Sequence, residues 1–192
     1  MNRLNRMIWK LFFALACLSV PAGATIVQSL SLEEMSRKAD VIVHGRVVEQ
    51  ATAWNETRSR IYTVTTIEVQ ERLKGLGASS IRVRQLGGTV DGLTQSIVGN
   101  ARLVVGEEVV VFLNRDEAKD LHYVVGMAQG KYAVDRSTPV PTIRHDLAGL
   151  ALARIQEGQL AQLVETTPQP GAALTLDGLK ARVADALKTA TP

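Results

Sequence analysis

Cysteine is almost missing from this chain: Cys17 is the one cysteine among 192 residues. It lies in an N-terminal stretch that reads as a leader, so residues 25–192 hold none. That excludes disulfides, thiolate metal ligands and a cysteine nucleophile from the part of the chain that folds. Aromatic residues are scarce too, at 4%. Beyond residue 24 they are Trp54, Tyr62, Phe112, Tyr123 and Tyr132, too few to pave a base-stacking surface for single-stranded nucleic acid. No apolar run in that region approaches the ~20 residues of a membrane helix. A chain of this length buries enough apolar surface to fold without covalent staples.

The leader itself has three parts. Arg3, Arg6 and Lys10 make a positive start, and Leu11–Val20 is uncharged and too short to span a bilayer. Pro21 then breaks any helix, and Ala22-Gly23-Ala24 supplies the small residues that a signal peptidase accepts. Residues 1–24 are therefore expected to be a signal peptide, cleaved after Ala24 to leave Thr25 first. A lipoprotein site at Cys17 is disfavoured, because Ala14 stands where leucine is wanted. The expected destination is the periplasm or the exterior, with no membrane insertion after cleavage. Export also changes the charge. The chain carries 22 basic and 19 acidic residues, and the three basic residues of the leader have no acidic counterpart. Removing them leaves 19 of each sign. The basic isoelectric point belongs to targeting, and nucleic acid is not an expected partner.

What is present reads mainly as β. Ser31 and Glu34 have the spacing of a capping box that opens a short helix ending near Ala39, with Leu30 and Met35 placed as a hydrophobic staple. Strand patterns follow. "DVIVHGRVVEQATAW" alternates around Gly45, where a missing side chain permits a bulge or sharp bend. "RIYTVTTIEVQERLKG" puts Ile67, Val69 and Leu73 on one parity. "SIRVRQ" sets Ile81 and Val83 against Arg82 and Arg84, and "GEEVVVFLN", "LHYVVG" and "GKYAVD" supply three more strands. "DLAGLALARIQEGQLAQLVE" is ambiguous between strand and helix, and "TTPQPGAA" has linker composition. Leu176, Leu179, Val183 and Leu187 recur at helical spacing behind Thr175, a candidate cap. The expected fold class is mainly β: a small OB-like antiparallel barrel over 25–165, with a short N-terminal helix. A linker over 166–174 then leads to a C-terminal amphipathic helix and tail over 175–192.

Chemistry is hard to find. Gly87, Gly88, Gly92 and Gly99 follow a strand pattern, but no lysine lies between Val83 and Asn100, and no βαβ unit surrounds them. Neither a phosphate loop nor a dinucleotide fingerprint fits. The segment is expected to connect two barrel strands, to add little to the core, and to tolerate shortening at Asp91–Ser96. As a loop on a rigid scaffold it is also the best ligand-contacting candidate, through Thr89, Asp91 and Gln95. His44, His122 and His145 would all have to converge to hold a metal, and their spacing matches no known zinc pattern. No metal and no cofactor is expected. There is no G-x-S-x-G turn, and Glu107 and Glu108, as neighbours in a strand, point to opposite faces. Arg82 and Arg84, with Arg58 and Arg60 nearby, read as a solvated strand face.

Taken together, "SLEEMSRKADVIVHGRVVE", "EVQERLKG", "RQLGG" and "GEEVVVFL" resemble a group of exported bacterial proteins of unknown function. The resemblance covers roughly Leu30–Asp135 and the "LTLDGLKARV" helix. More distantly, the helix with "ADVIVHGRV" and "ERLKG" is similar to netrin-like domains, the barrel of the tissue inhibitors of metalloproteinases. That likeness implies an OB-like barrel. It transfers no activity, because those inhibitors place an N-terminal cysteine on the protease zinc and Thr25 stands here instead. The expectation is a non-catalytic binding or interaction module whose partner is an extracytoplasmic protein. A loop-mediated protease inhibitor is the alternative, and an unrecognised hydrolase the third.

Overall fold

The computed structural model describes residues 25–156, 159–164 and 174–189. The leader and linker residues 166–173 lie outside them. In chain order the elements are β1 (Thr25–Gln28), α1 (Leu32–Lys38), β2 (Val41–Trp54), β3 (Ile61–Lys74), β4 (Ser80–Leu86), β5 (Gly88–Val90) and β6 (Leu93–Gln95). There follow β7 (Glu108–Asp116), β8 (Leu121–Val124), β9 (Lys131–Asp135), β10 (Thr142–Arg144), β11 (Leu150–Gln156), β12 (Gln159–Val164) and α2 (Leu176–Lys188).

Five strands form a closed circuit. The order β7-β2-β3-β4-β8 returns to its start because β8 also pairs with β7. This is the expected small, mainly-β barrel, closed weakly at one junction. The seam between β4 and β8 is parallel and consists of a single bridge, Val83 to His122, whereas the other four junctions are antiparallel. Strands β9 and β10 continue the sheet outward from β7.

β2 and β7 carry continuous apolar runs because both their faces are covered. One face points into the barrel, where Val43, Val47, Ile67, Ile81, Val83, Val109, Val111 and Leu113 pack together. The other face presents Ile42, Val110 and Phe112 to Leu32 and Met35 of α1 and to Leu179 and Val183 of α2. Each such side chain contributes ~1.5–3 kcal/mol of burial, so the helices belong to the core. Both caps are as the sequence implies. Ser31 and Glu34 form the reciprocal capping box, and the Thr175 hydroxyl accepts from the Gly178 N–H. At the other end of α1, the Lys74 ammonium donates to the carbonyls of Ser36, Arg37 and Ala39. A cation there satisfies orphan carbonyls and complements the helix dipole.

Gly45 is where β2 bends. The β2–β3 register slips between His44 and Gly45, and a Cβ at Gly45 would collide with the Glu68 carbonyl oxygen. Slips of this kind also explain Leu73. It shares parity with Ile67 and Val69, yet it packs with the helical cluster while they stay with the barrel interior.

Two smaller sheets accompany the barrel. β1 pairs in parallel with β11, and β11 pairs with β12, making a separate three-stranded sheet. The ambiguous "DLAGLALARIQEGQLAQLVE" is thus strand, and its Leu150 and Leu152 pack with Ala128 in a third small cluster. The β5–β6 hairpin is the second of these sheets. Among the described residues no helix is long and apolar enough to cross a membrane.

Candidate functional site

The glycine-rich segment joins β4 to β7 and lies across the open end of the barrel. Its middle is a two-residue hairpin. Asp91 and Gly92 both have positive φ, 53° and 76°, the backbone that a tight primed turn requires. The Asp-Gly pair between Val90 and Leu93 was the sequence signal for it.

Polar contacts press the hairpin onto the ends of β2 and β3. The Gly87 N–H donates to the Ile61 carbonyl at 2.7 Å, and the Ile61 N–H donates to Gln95 Oε1 at 2.8 Å. The Thr63 hydroxyl donates to the Gly87 carbonyl at 2.8 Å. A Cβ on Gly88 would strike the side chains of Thr52 and Thr63, so close approach explains this glycine. At the tip, Asp91 Oδ2 accepts from Trp54 Nε1 and Arg58 Nη2, both at 3.3 Å.

After the hairpin the chain crosses the mouth of the barrel as an irregular strap. Three side-chain amides hold it where a strand ladder would otherwise be. Gln50 Nε2 donates to the Leu103 carbonyl at 2.8 Å and to Thr65 Oγ1 at 3.1 Å. Gln85 Nε2 donates to the Ala101 carbonyl at 3.0 Å, and Asn100 Nδ2 to the Leu86 carbonyl at 2.7 Å. Ala101 and Leu103 are buried beneath the strap. Both lie beyond Gly99; from Gly87 to Gly99 no large apolar side chain is buried, and that stretch adds little to the core, as its sequence implies.

Between hairpin, strap and strand ends lies a cleft of about 480 Å³. Gln50, Thr52, Thr63, Gln85, Thr89, Gln95, Ser96, Asn100 and Arg102 line it, with Leu86, Ile97, Ala101, Leu103 and the Gly87-Gly88 backbone. Barrel mouths are favoured places for ligand pockets. Of the three candidate contact residues, Thr89 and Gln95 line the cleft, while Asp91 sits at the hairpin tip, held by Trp54 and Arg58. The sequence reading missed Gln50, Gln85, Asn100 and Arg102. Gln85 was legible in principle, since it continues the inward parity of Ile81 and Val83 with a polar group.

The other singled-out residues lie elsewhere. His44 Nε2 is 2.7 Å from Glu108 Oε1 on the helix-facing side of β2. His122 is buried at the β4–β8 seam with Nδ1 unpartnered, and burial lowers its pKa. His145 stacks on Tyr132, ring centroids 4.2 Å apart. Among the described residues no three His, Cys, Asp or Glu side chains are grouped to hold a metal. Glu107 and Glu108 do point to opposite sides: Glu107 pairs with buried Lys131 at 2.8 Å, and Glu108 takes a two-pronged contact from Arg136 at 2.8 and 2.6 Å. The Arg136 contact, helped by His44, lowers the Glu108 pKa to about 2 against the cost of burial. Of the arginines, Arg84 lies 3.7 Å above the Tyr62 ring, Arg82 reaches Asp120 and Arg58 reaches Asp91.

Neither a protein-family model nor a curated protein matches the chain.

Proposed function

We propose that the protein is an exported, non-catalytic binding module that receives its ligand in the cleft at the barrel mouth. The observation that carries this is the chemistry of the lining. Its side chains are amides, hydroxyls, aliphatic groups and one guanidinium. Such groups orient a ligand through hydrogen bonds, and the lining holds no histidine, carboxylate, lysine, tyrosine or cysteine of the kind that serves as a general acid or base. The hydroxyls of Thr52, Thr63, Thr89 and Ser96 have no histidine or carboxylate in the lining to activate them. Export rests on the leader, and the resemblance to exported bacterial proteins supports the same reading.

Because residues 25–192 hold no cysteine, Ser96→Cys creates a unique attachment point for an environment-sensitive fluorophore at the cleft. The expected result is a saturable signal change on titration with envelope extract from the native host. A change seen with a label at Val140→Cys but absent at position 96 would move the binding surface away from the mouth.

One observation favours a second reading, the loop-mediated protease inhibitor. The hairpin tip is stiffened by Trp54 and Arg58 yet leaves Leu93 60% exposed, and a preorganised exposed loop lowers the entropic cost of docking. Inhibition of secreted metalloproteases that is lost in Leu93→Asp would establish it.

A further inference from the structure

We infer that the ligand of the mouth cleft is a short extended peptide segment of a partner protein, with an acidic group where it meets Arg102. This inference rests on the binding role proposed above and names its ligand class.

The strap fixes the orientation of the amides. Gln50, Gln85 and Asn100 spend amide hydrogens on the carbonyls of Leu103, Ala101 and Leu86. Their oxygens accept no hydrogen bond among the described residues, and those of Gln85 and Asn100 are not sealed from solvent. Gln95 is reversed, since its oxygen is bound to the Ile61 N–H and its amide nitrogen remains. The cleft therefore presents amide acceptors, an amide donor and hydroxyls in set directions. A peptide backbone, with alternating N–H and C=O groups, complements that arrangement. Leu86, Ile97 and Leu103 add an aliphatic wall for a side chain.

Charge and shape narrow the class. Arg102 is the single charged residue of the lining, is exposed, and makes no salt bridge among the described residues. It disfavours an amine and suits a carboxylate, which a guanidinium binds with two parallel hydrogen bonds. One cation is too little for a phosphate backbone, which needs several neutralising contacts. A sugar ring presents an apolar face that calls for an aromatic platform, and the lining holds no aromatic. The nearby Tyr62 ring is already covered by Arg84. The volume, about 480 Å³, falls in the ~300–1,000 Å³ range of small-ligand pockets, room for a few residues rather than a folded surface.

The test pans phage-displayed random heptapeptides on the protein purified from its host, then measures each enriched peptide on Ser96→Trp, which fills the cleft from an exposed position. Thr89→Trp, at another exposed lining position, serves if Ser96→Trp fails to fold by circular dichroism. Enriched peptides should bind the blocked variant at least tenfold more weakly than the wild type. Arg102→Glu should cost a further tenfold or more, Arg102→Lys less, and replacing the peptide's acidic group with its amide should mimic Arg102→Glu. Peptides that bind blocked and unblocked protein equally would overturn both this inference and the cleft as the binding site. Should no peptide discriminate while an array of neutral oligosaccharides gives binding sensitive to Ser96→Trp, the binding role stands and the peptide class falls. Indifference to Arg102→Glu removes the acidic end.

Discussion

At the scale of single residues, the clearest constraints are steric and electrostatic. Gly45 admits no Cβ because the Glu68 carbonyl occupies the space. Gly45→Ala should therefore destabilise the barrel by ~1–3 kcal/mol, the usual cost of overpacking, read as a lower urea midpoint with unchanged slope. Glu108 carries a pH dependence whose sign follows from its lowered pKa. Its folded value is about 2 against an ordinary 4.5, so the folded state holds the proton less tightly than the unfolded chain. The stabilisation is complete above about pH 4.5 and is lost as pH falls toward 2, amounting to ~3 kcal/mol over that window. Urea titrations from pH 6 to pH 2 should show the stability gap between wild type and Glu108→Gln closing by about that amount. A constant gap would mean that Arg136 and His44 do not hold the carboxylate in its charged form.

Among the elements, α2 and the β5–β6 hairpin differ most in what they contribute. Leu179 is fully buried between α2 and the barrel's outer face, so Leu179→Ala should cost ~2–5 kcal/mol in thermal or chemical unfolding. The hairpin is a lighter case. Nothing lies within 4 Å of a Cβ at Gly92, so Gly92→Val should act through the positive φ alone, at ~1–2 kcal/mol. Its effect should appear as faster amide exchange in β5 and β6, with the barrel strands unchanged. Shortening Asp91–Ser96 removes Gln95 and leaves the Ile61 N–H without its acceptor. That loss adds ~1–3 kcal/mol to a change that chain entropy alone makes nearly free. The barrel should survive, because its circuit closes through β7, β8 and the Val83–His122 bridge rather than through the loop.

For the whole molecule, the testable property is processing. The leader of residues 1–24 predicts a processed chain whose first residue is Thr25. Edman sequencing or intact mass of protein from the native host should give a chain beginning there, and a full-length cytoplasmic product would refute export. The balanced charge of residues 25–192 also predicts that moderate salt leaves non-specific association unchanged, measurable by sedimentation across ionic strengths.

The sequence by itself determined the local features, because each depends on neighbours along the chain. The capping box at Ser31 and Glu34 needs only a three-residue spacing, and the helical period from Leu176 to Leu187 marks a face whatever covers it. The parity of Ile81 and Val83 likewise selects the inward side of β4 without knowledge of its partners. Mainly-β character and a small barrel were legible for that reason. Tertiary structure alone decided how the barrel closes, since a one-residue parallel seam between β4 and β8 leaves no pattern in either strand. It also decided that "LALARIQ" is a strand, through pairing with β1 more than a hundred residues earlier. The candidate site was half legible. Thr89 and Gln95 stood out as polar groups in a glycine-rich loop, but Gln50, Gln85 and Asn100 come from three distant segments. They meet at the open barrel end, where Gln50 and Gln85 donate to strap carbonyls that must find donors, and Asn100, on the strap, donates back to the Leu86 carbonyl of β4.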